Sequence, residues 1–103
     1  MNPFELLKNF NMDSLKQQAE EMKTYMESLR AVGEAGGGFV KVTVDGNFNI
    51  LSIDYEDNEF IKQDLSMFRD LIIAAQNDAV SKIRQMIKDE VGEKFPLAGN
   101  FGL

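Results

Sequence analysis

The chain has 103 residues, a net charge of −6, and neither cysteine nor histidine. Without cysteine there is no disulfide framework and no thiolate metal site, and without histidine the commonest general base and metal ligand is missing. No apolar run reaches the length of a membrane span, so we expect a cytoplasmic protein. The acidic balance argues weakly against nucleic-acid binding, because domains of that kind are usually basic.

The first predicted element is a helix with an apolar seam. Its apolar residues recur at intervals of three and four, as at the a and d positions of a coiled coil. They are Met12, Leu15, Ala19, Met22, Met26 and Leu29. Asp13 or Ser14 is a suitable N-cap. Alternatively, the helix begins near Pro3, and the apolar residues up to Phe10 extend the same face.

Three consecutive glycines at residues 36–38 separate the first two predicted strands. A phosphate-binding loop would need Gly-Lys-Ser/Thr leading into a helix. The glycines are followed instead by alternating β-branched residues at 39–44, so the sequence favours a turn between strands at 30–34 and 39–44.

Asp45-Gly46 is the expected connection to a third strand at residues 48–55. This dipeptide predicts a two-residue hairpin turn with positive φ at both positions. The three strands then form an antiparallel meander.

The third strand carries more apolar side chains than one covered face requires. Leu51, Ile53 and Tyr55 are predicted on one face, whereas Phe48 and Ile50 are predicted on the other. A β-bulge near Leu51, or cover from the C-terminal tail, is one explanation. The other is a homodimer in which the sheets pair or pack, since most soluble homo-oligomers are two-fold dimers.

A second long helix is predicted over residues 65–91, with Asp64 as N-cap and Gly92 as the first residue beyond its end. Its apolar stripe comprises Phe68, Leu71, Ile72, Ala75, Ala79, Ile83, Met86 and Ile87. We therefore expect a single α+β domain at residues 1–92, in the order helix, three-stranded antiparallel meander, helix. Residues 93–103 show no period and are expected to form a flexible tail.

Basic side chains are placed regularly on both helices. The six candidates for phosphate contacts are Lys16, Lys23, Arg30, Lys82, Arg84 and Lys88. With Met12 at heptad position a, the three in the first helix all fall at position e, beside the seam. Ion pairs across a coiled coil or within the helix are the alternative role for these three. Interaction with the helix dipole is the alternative for the other three.

No constellation of residues proposes a reaction. Residues 54–59 are acidic, but they lack the glycine of a calcium loop and place Leu65 where a bidentate Glu belongs. No carboxylate has a partner that marks it as catalytic. We therefore expect no enzymatic activity, no metal, no cofactor and no small-molecule substrate.

Two segments of the chain are informative as a pair: GEAGGGFVKVTVDG at residues 33–46 and LIIAAQNDA at residues 71–79. Together they resemble the YbaB/EbfC family of bacterial nucleoid-associated proteins, and the similarity extends over nearly the whole chain. The resemblance implies a small homodimer with a sheet-built centre and protruding helices, like tweezers, that binds double-stranded DNA. Members of this family are commonly acidic, so the charge of −6 is consistent with membership.

The expected function is thus binding of double-stranded DNA by a homodimer in the nucleoid, which organises the nucleoid and affects gene expression. Phosphate contacts position a protein without reading sequence, so modest sequence specificity is expected. The alternative is a coiled-coil-type interaction module that recruits a DNA-processing or chaperone partner. Salt-dependent retention of DNA by the pure protein distinguishes the first function from the second.

Overall fold

A computed structural model describes residues 12–94 of the chain. In chain order they form helix α1 (Met12–Ser28), strands β1 (Ala31–Ala35), β2 (Val40–Val44) and β3 (Ile50–Tyr55), short helix α2 (Glu59–Gln63) and long helix α3 (Leu65–Lys94). The strands form one antiparallel sheet in the order β1-β2-β3. The predicted order of helix, meander and helix is confirmed, and α2 is added to it. The predictions about a start near Pro3 and about residues 95–103 of the tail lie outside the described residues.

Helix α3 lies directly on β1 and β2 because small residues face one another there. Gly33 of β1 lies against the α3 backbone, and a Cβ atom at this position would overlap the carbonyl oxygen of Ala75 and the amide nitrogen of Ala79. This close approach allows the apolar side chains beneath α3 to pack without gaps. The largest fully buried side chains are Val40, Val42, Val44 and Ile83.

The three glycines form the turn between β1 and β2. Residues 36–38 have φ values of 65°, 68° and 94°, which side chains with a Cβ atom rarely adopt. The amide of Phe39 donates to the carbonyl oxygen of Gly36 at 3.4 Å, and β2 follows at once. The prediction of a turn is confirmed, since a strand and not a helix follows the glycines.

The connection between β2 and β3 differs from the predicted hairpin. It comprises residues 45–49, and its positive φ angle lies at Phe48 (66°) and not at Asp45 or Gly46. The prediction of a two-residue turn was therefore wrong. Gly46 is needed for another reason: its amide donates to the carbonyl oxygen of Met26 at 2.9 Å, and a Cβ atom would overlap that oxygen.

Asp45 organises this connection from a buried position. Its carboxylate accepts hydrogen bonds from the amides of Asn47 and Asn49 at 2.9 and 3.0 Å, and from the Asn49 side chain at 3.2 Å. Burial alone would raise the pKa of Asp45, but these hydrogen bonds, with a smaller contribution from the nearby Arg30, hold it below its ordinary value. The carboxylate thus stays ionised and fixes the loop that holds the end of α1.

A β-bulge, one of the alternatives that the sequence left open, interrupts the pairing of β2 with β3. Thr43 pairs with Ser52 but Val44 pairs with Ile50, so Leu51 is the extra residue. Such a residue locally reverses which face the following side chains occupy.

The bulge corrects the predicted faces of β3. Ile50, Ile53 and Tyr55 all lie opposite the three buried valines of β2 and therefore share one face of the sheet. The prediction that Ile50 points away from Ile53 and Tyr55 was wrong, because it assumed uninterrupted alternation.

The two ends of α3 differ in how well they were predicted. Asp64 is the N-cap, since its Oδ1 atom accepts a hydrogen bond from the Met67 amide at 2.9 Å. The predicted end at Gly92 was wrong, because α3 continues through this residue to Lys94. A glycine inside a helix costs only about 1 kcal/mol relative to alanine, which does not by itself end a long helix.

The apolar seam of α1 is covered over only part of its length. Leu29, just beyond the helix, is buried in the core, and Met22 and Met26 are partly buried against it. Met12 and Leu15 are 67% and 39% exposed. The seam therefore anchors α1 at its C-terminal end, and the first turns of the helix extend away from the core.

Candidate nucleic-acid interface

Lys16 and Lys23 lie exposed on α1, seven residues and therefore about 10 Å apart along the helix axis. Neither forms an ion pair with another of the residues that the structure describes. Both ammonium groups are thus available to an anion that approaches α1.

Arg30 lies two residues beyond the end of α1 and caps that end. Its Nη1 atom donates to the carbonyl oxygens of Glu27 at 2.6 Å and Leu29 at 2.8 Å. A cation at this position satisfies carbonyl groups that have no partner within the helix and interacts favourably with its dipole. The three position-e residues therefore do not form one continuous stripe on a single helix.

Lys82 binds the outer edge of β1, together with Asp78. Its ammonium group lies 2.9 Å from Asp78 Oδ2 and donates to the carbonyl oxygen of Val32 at 3.1 Å. Asp78 Oδ2 also accepts a hydrogen bond from the Glu34 amide at 3.0 Å. We call this arrangement of Asp78 and Lys82 the edge bridge.

The edge bridge affects the acidity of its carboxyl group. The hydrogen bond from the Glu34 amide and then the one from Lys82 lower the pKa of Asp78 and together outweigh the opposing effect of partial burial. The carboxylate is therefore ionised at neutral pH and occupies backbone groups of β1 that would otherwise be open to another strand.

Arg84 and Lys88 lie on a different side of α3 from Lys82. They are exposed and line a shallow groove along the helix, one turn apart. The guanidinium carbon of Arg84 is 5.5 Å from the centre of the Phe48 ring, which is a cation–π arrangement. The three candidates on α3 are thus split between the β1 side and the β3 side of the helix.

Helix α1 meets the C-terminal half of α3 through a hydrogen bond that the sequence analysis missed. The Tyr25 hydroxyl donates to Glu90 Oε2 at 2.6 Å, and this bond to a carboxylate raises the pKa of Tyr25. The contact holds the end of α1, which carries Lys23, against the part of α3 that carries Lys88.

Charge is distributed unevenly along the molecule. Residues 12–30 and 80–94, which we call the helical arm, carry seven basic and seven acidic side chains. Residues 54–70, which we call the acidic end, carry six acidic and two basic ones. A phosphate backbone is therefore repelled by the acidic end, whereas the charges of the arm balance and leave its unpaired lysines able to attract it.

An apolar surface remains on the β3 side of the sheet. We call it the β3 face; it consists of Phe48, Ile50, Ile53 and Tyr55, which are 43%, 43%, 41% and 54% exposed. Only its margins contact α3, through Arg84 above Phe48 and through the Tyr55 ring, whose centre is 5.0 Å from that of Phe68. At the centre of the β3 face, Ile50 and Ile53 remain about two-fifths exposed.

The edge bridge and the Tyr25–Glu90 bond were both missed from sequence, for one reason. Asp78 and Lys82 have the spacing of a helical ion pair, and that signal was present. Their contacts with Val32 and Glu34, however, join residues 50 and 44 positions apart, and the Tyr25 bond spans 65 positions. Such contacts depend on how the helices pack and leave no local pattern.

The fold and surfaces define a small α+β binding protein. Among the described residues, no group of three or more acidic side chains is arranged to hold a metal ion, and no helix is long and apolar enough to cross a membrane. The chain belongs to the YbaB/EbfC DNA-binding family, whose sequence profile matches residues 4–96. The resemblance seen in the sequence is thereby confirmed, and the family is one of DNA-binding proteins rather than a class of enzymes.

Individual relatives agree with this assignment. The chain is 35% identical over 89 residues to a nucleoid-associated protein of Pseudothermotoga lettingae, covering 86% of this chain and 76% of that protein. It is 37% identical over 84 residues to a nucleoid-associated protein of Francisella tularensis, covering 75% and 74%. The crystal structure of the uncharacterized protein HP0035 from Helicobacter pylori shares the fold, with a TM-score of 0.69 at 16% identity over 91% of this chain and 97% of that one.

Proposed function

We propose that the protein binds double-stranded DNA as a homodimer and organises the nucleoid. The observation that carries the proposal is the pairing of a family of DNA-binding proteins with a helical arm in which the exposed Lys16, Lys23 and Lys88 have no ion-pair partner among the described residues. The protein acts in the nucleoid and influences gene expression through the DNA that it covers.

The β3 face supports the homodimer. Large exposed apolar patches on small proteins mark sites of association, and this one lies on an edge strand that a second copy can cover or extend. The opposite edge is occupied by the edge bridge, so association is directed to the β3 side. A two-fold dimer formed there presents two helical arms, in keeping with a tweezer-like shape.

We assign the phosphate contacts to Lys16, Lys23, Arg84 and Lys88. All four are exposed, and a dimer doubles their number. The two other sequence candidates, Arg30 and Lys82, already hold carbonyl oxygens of the protein. Contacts of this kind favour binding with little sequence preference.

The decisive experiment is a salt titration of DNA binding by an arm variant and a control variant. The arm variant carries Lys16→Ala and Lys23→Ala. The control carries Lys41→Ala and Lys62→Ala, which change the net charge equally but remove lysines paired with Glu34 and Asp57 outside the arm. Gel shifts of a fluorescent duplex at several salt concentrations give the slope of log affinity against log salt.

We expect the arm variant to lower that slope by about two units, or about four if both protomers bind one duplex, and the control to leave it unchanged. Equal losses in the two variants would show that net charge alone matters. Competition by a single strand of the same sequence tests the preference for duplex DNA. Light scattering that gives a mass near 11.6 kDa at micromolar concentration would contradict the dimer.

A further inference from the structure

An apolar pocket lies at the acidic end, away from the helical arm. It has a volume of about 250 Å³, and a cavity of about 150 Å³ already holds a benzene ring. Its lining residues are Gly36, Phe39, Asn58, Ile61, Met67 and Leu71. The pocket therefore has room for one large apolar side chain, and neither the β3 face nor the basic residues take part in it.

Three elements fix the walls of this pocket. The side chain of Asn58 accepts a hydrogen bond from the Ile61 amide at 3.0 Å, which starts α2 and places Ile61 in the interior with 6% exposure. The glycine turn closes against the first turns of α3, where a Cβ atom on Gly36 would lie 3.1 Å from Leu71 Cδ2. Phe39 and Met67, 38% and 37% exposed, form the open rim. The pocket is thus preformed.

The surroundings of the pocket are strongly acidic. Three carboxylates adjoin its lining residues in the chain, and they are Asp57, Glu59 and Asp70. Glu56 is joined to the rim, since its amide donates to the carbonyl oxygen of Phe39 at 3.0 Å. The two basic side chains of the acidic end are already paired with carboxylates there, Lys62 with Asp57 at 3.4 Å and Arg69 with Asp70 at 3.5 Å. An apolar cavity within negative charge is complementary to a ligand that is apolar at its centre and basic at its ends.

We propose that the pocket docks a short basic segment of a partner protein, with one leucine- or phenylalanine-sized side chain inserted and Lys or Arg residues on either side. This adds a protein-binding surface at the end opposite the DNA-binding arm. A bound partner would then be held beside DNA without competing for the arm.

Other occupants fit the observations less well. DNA and a second copy with net charge −6 both bring negative charge to an acidic surface. Residues 95–103 of the same chain hold no basic residue that would complement the acidic surface.

The test uses a fluorescein-labelled peptide with one leucine flanked on each side by two arginines, in a glycine–serine background. One control peptide replaces the leucine by alanine, and another replaces the arginines by glutamates. We expect the first peptide to bind in fluorescence anisotropy and both controls to bind at least about tenfold more weakly. Binding that is absent up to about 1 mM, or equal for the leucine and alanine peptides, would overturn the proposal.

Two protein variants locate the site. Met67→Lys places a cation at the rim, whereas Leu65→Lys makes the same charge change on the same helix at a residue that is 71% exposed and does not line the pocket. We expect Met67→Lys to weaken binding of the peptide about tenfold or more, about 1.4 kcal/mol. Leu65→Lys should change the affinity less than about threefold. Circular dichroism melting curves check that both variants fold.

Equal losses of peptide affinity in the two variants would mean that only long-range charge attracts the peptide. That result would overturn the proposal that the pocket binds it. If Met67→Lys instead dissociates the dimer in analytical ultracentrifugation while Leu65→Lys does not, the occupant is a second copy of the chain, and the partner-protein proposal is wrong. Amide chemical-shift changes confined to residues 36–39 and 58–71 on peptide addition would support the proposal that the pocket binds the peptide.

Discussion

The two edge strands of the sheet differ in how far the rest of the chain covers them. Strand β1 is covered by α3, touches it through Gly33, and has outward backbone groups bound by the edge bridge. Strand β3 carries an apolar face with no such cover. The difference follows from dimensions: a helix is about 10 Å across, whereas three strands spaced about 4.8 Å apart are wider than that. One helix therefore seals two strands, and the third needs a partner.

The first prediction tests how closely α3 packs on β1, the covered edge strand. Gly33→Ala places a Cβ atom where the backbone of Ala75 and Ala79 now lies. Neither backbone group can move without shifting α3, so we expect the free energy of unfolding to fall by about 3 kcal/mol. Urea denaturation followed by circular dichroism measures the change.

Gly37→Ala is the control for that variant. A Cβ atom there has no neighbour within 4 Å, but φ is 68°, so the cost is only that of the backbone conformation, about 1 kcal/mol. If the two variants were equally stable, close packing of α3 on β1 would not be what seals this edge.

The second prediction concerns the open side and the proposed dimer. Ile53→Asp puts a charge into the middle of the β3 face, and desolvating it without a partner is costly. We expect the dimer dissociation constant to rise about 100-fold or more, equivalent to about 2.8 kcal/mol. Sedimentation equilibrium measures this constant.

Val32→Asp on β1 provides the comparison, since Val32 is 43% exposed and Ile53 41%. Val32 pairs with Thr43 and lies on the other face of the sheet, so it tests both the other edge and the other face. The same substitution at the sealed edge should leave the dimer unchanged. If both variants lost the dimer equally, the interface could not be assigned to one edge of the sheet. If Ile53→Asp kept the dimer, the β3 face would not be part of the interface.

The contrast between the edges also shows what the sequence could predict. Alternation along 40–44, the N-cap Asp64 and the heptad seam are local signals, and each led to the correct element. A bulge near Leu51 was one of the alternatives offered by the sequence. Its effect on Ile50 was not predicted, because the face of a residue depends on which partner it pairs with across the sheet. Asp45-Gly46 has the composition of a tight turn, yet contact of Gly46 with Met26 decides the geometry.

The candidate interface was predicted less completely than the fold. Spacing identified which residues are basic and exposed, such as Lys16 and Lys23. It did not separate them from Lys82 and Arg30, whose ammonium and guanidinium groups are occupied by carbonyl oxygens. The apolar pocket at the acidic end was also missed, because its walls bring the glycine turn and Phe39 against residues 58–71, about twenty positions further along the chain.

The third prediction uses pH to loosen the edge bridge. The pKa of Asp78 is lowered in the folded protein, so the stability that it contributes is fully present above its unfolded value and is lost as pH falls through the folded one. Asp78→Asn should therefore be less stable than wild type at neutral pH. The two proteins should become more similar at about pH 3, well into the acid range of the side chain.

Urea midpoints at neutral pH and at about pH 3 measure the effect of Asp78→Asn. Asp70→Asn changes an exposed carboxylate whose ion pair is with its neighbour Arg69. In this variant the urea midpoint should fall between neutral pH and about pH 3 by the same amount as in wild type. Since Asp45 also has a lowered pKa, some acid sensitivity will persist in all three proteins. A pH dependence identical in wild type and Asp78→Asn would show that the edge bridge contributes nothing measurable.

The smallest expected effect separates two lysines of α3 that sequence analysis treated alike. Lys82 belongs to the sealed edge, whereas Lys88 lies exposed in the groove with Arg84. Lys82→Ala should lower the urea midpoint slightly and leave the salt slope of DNA binding unchanged. Lys88→Ala should leave the midpoint unchanged and lower the slope by about one unit per protomer, because one phosphate contact is lost. The reverse pattern would mean that the bond to Val32 is exchanged for a phosphate when DNA binds, and that the β1 edge opens in the complex.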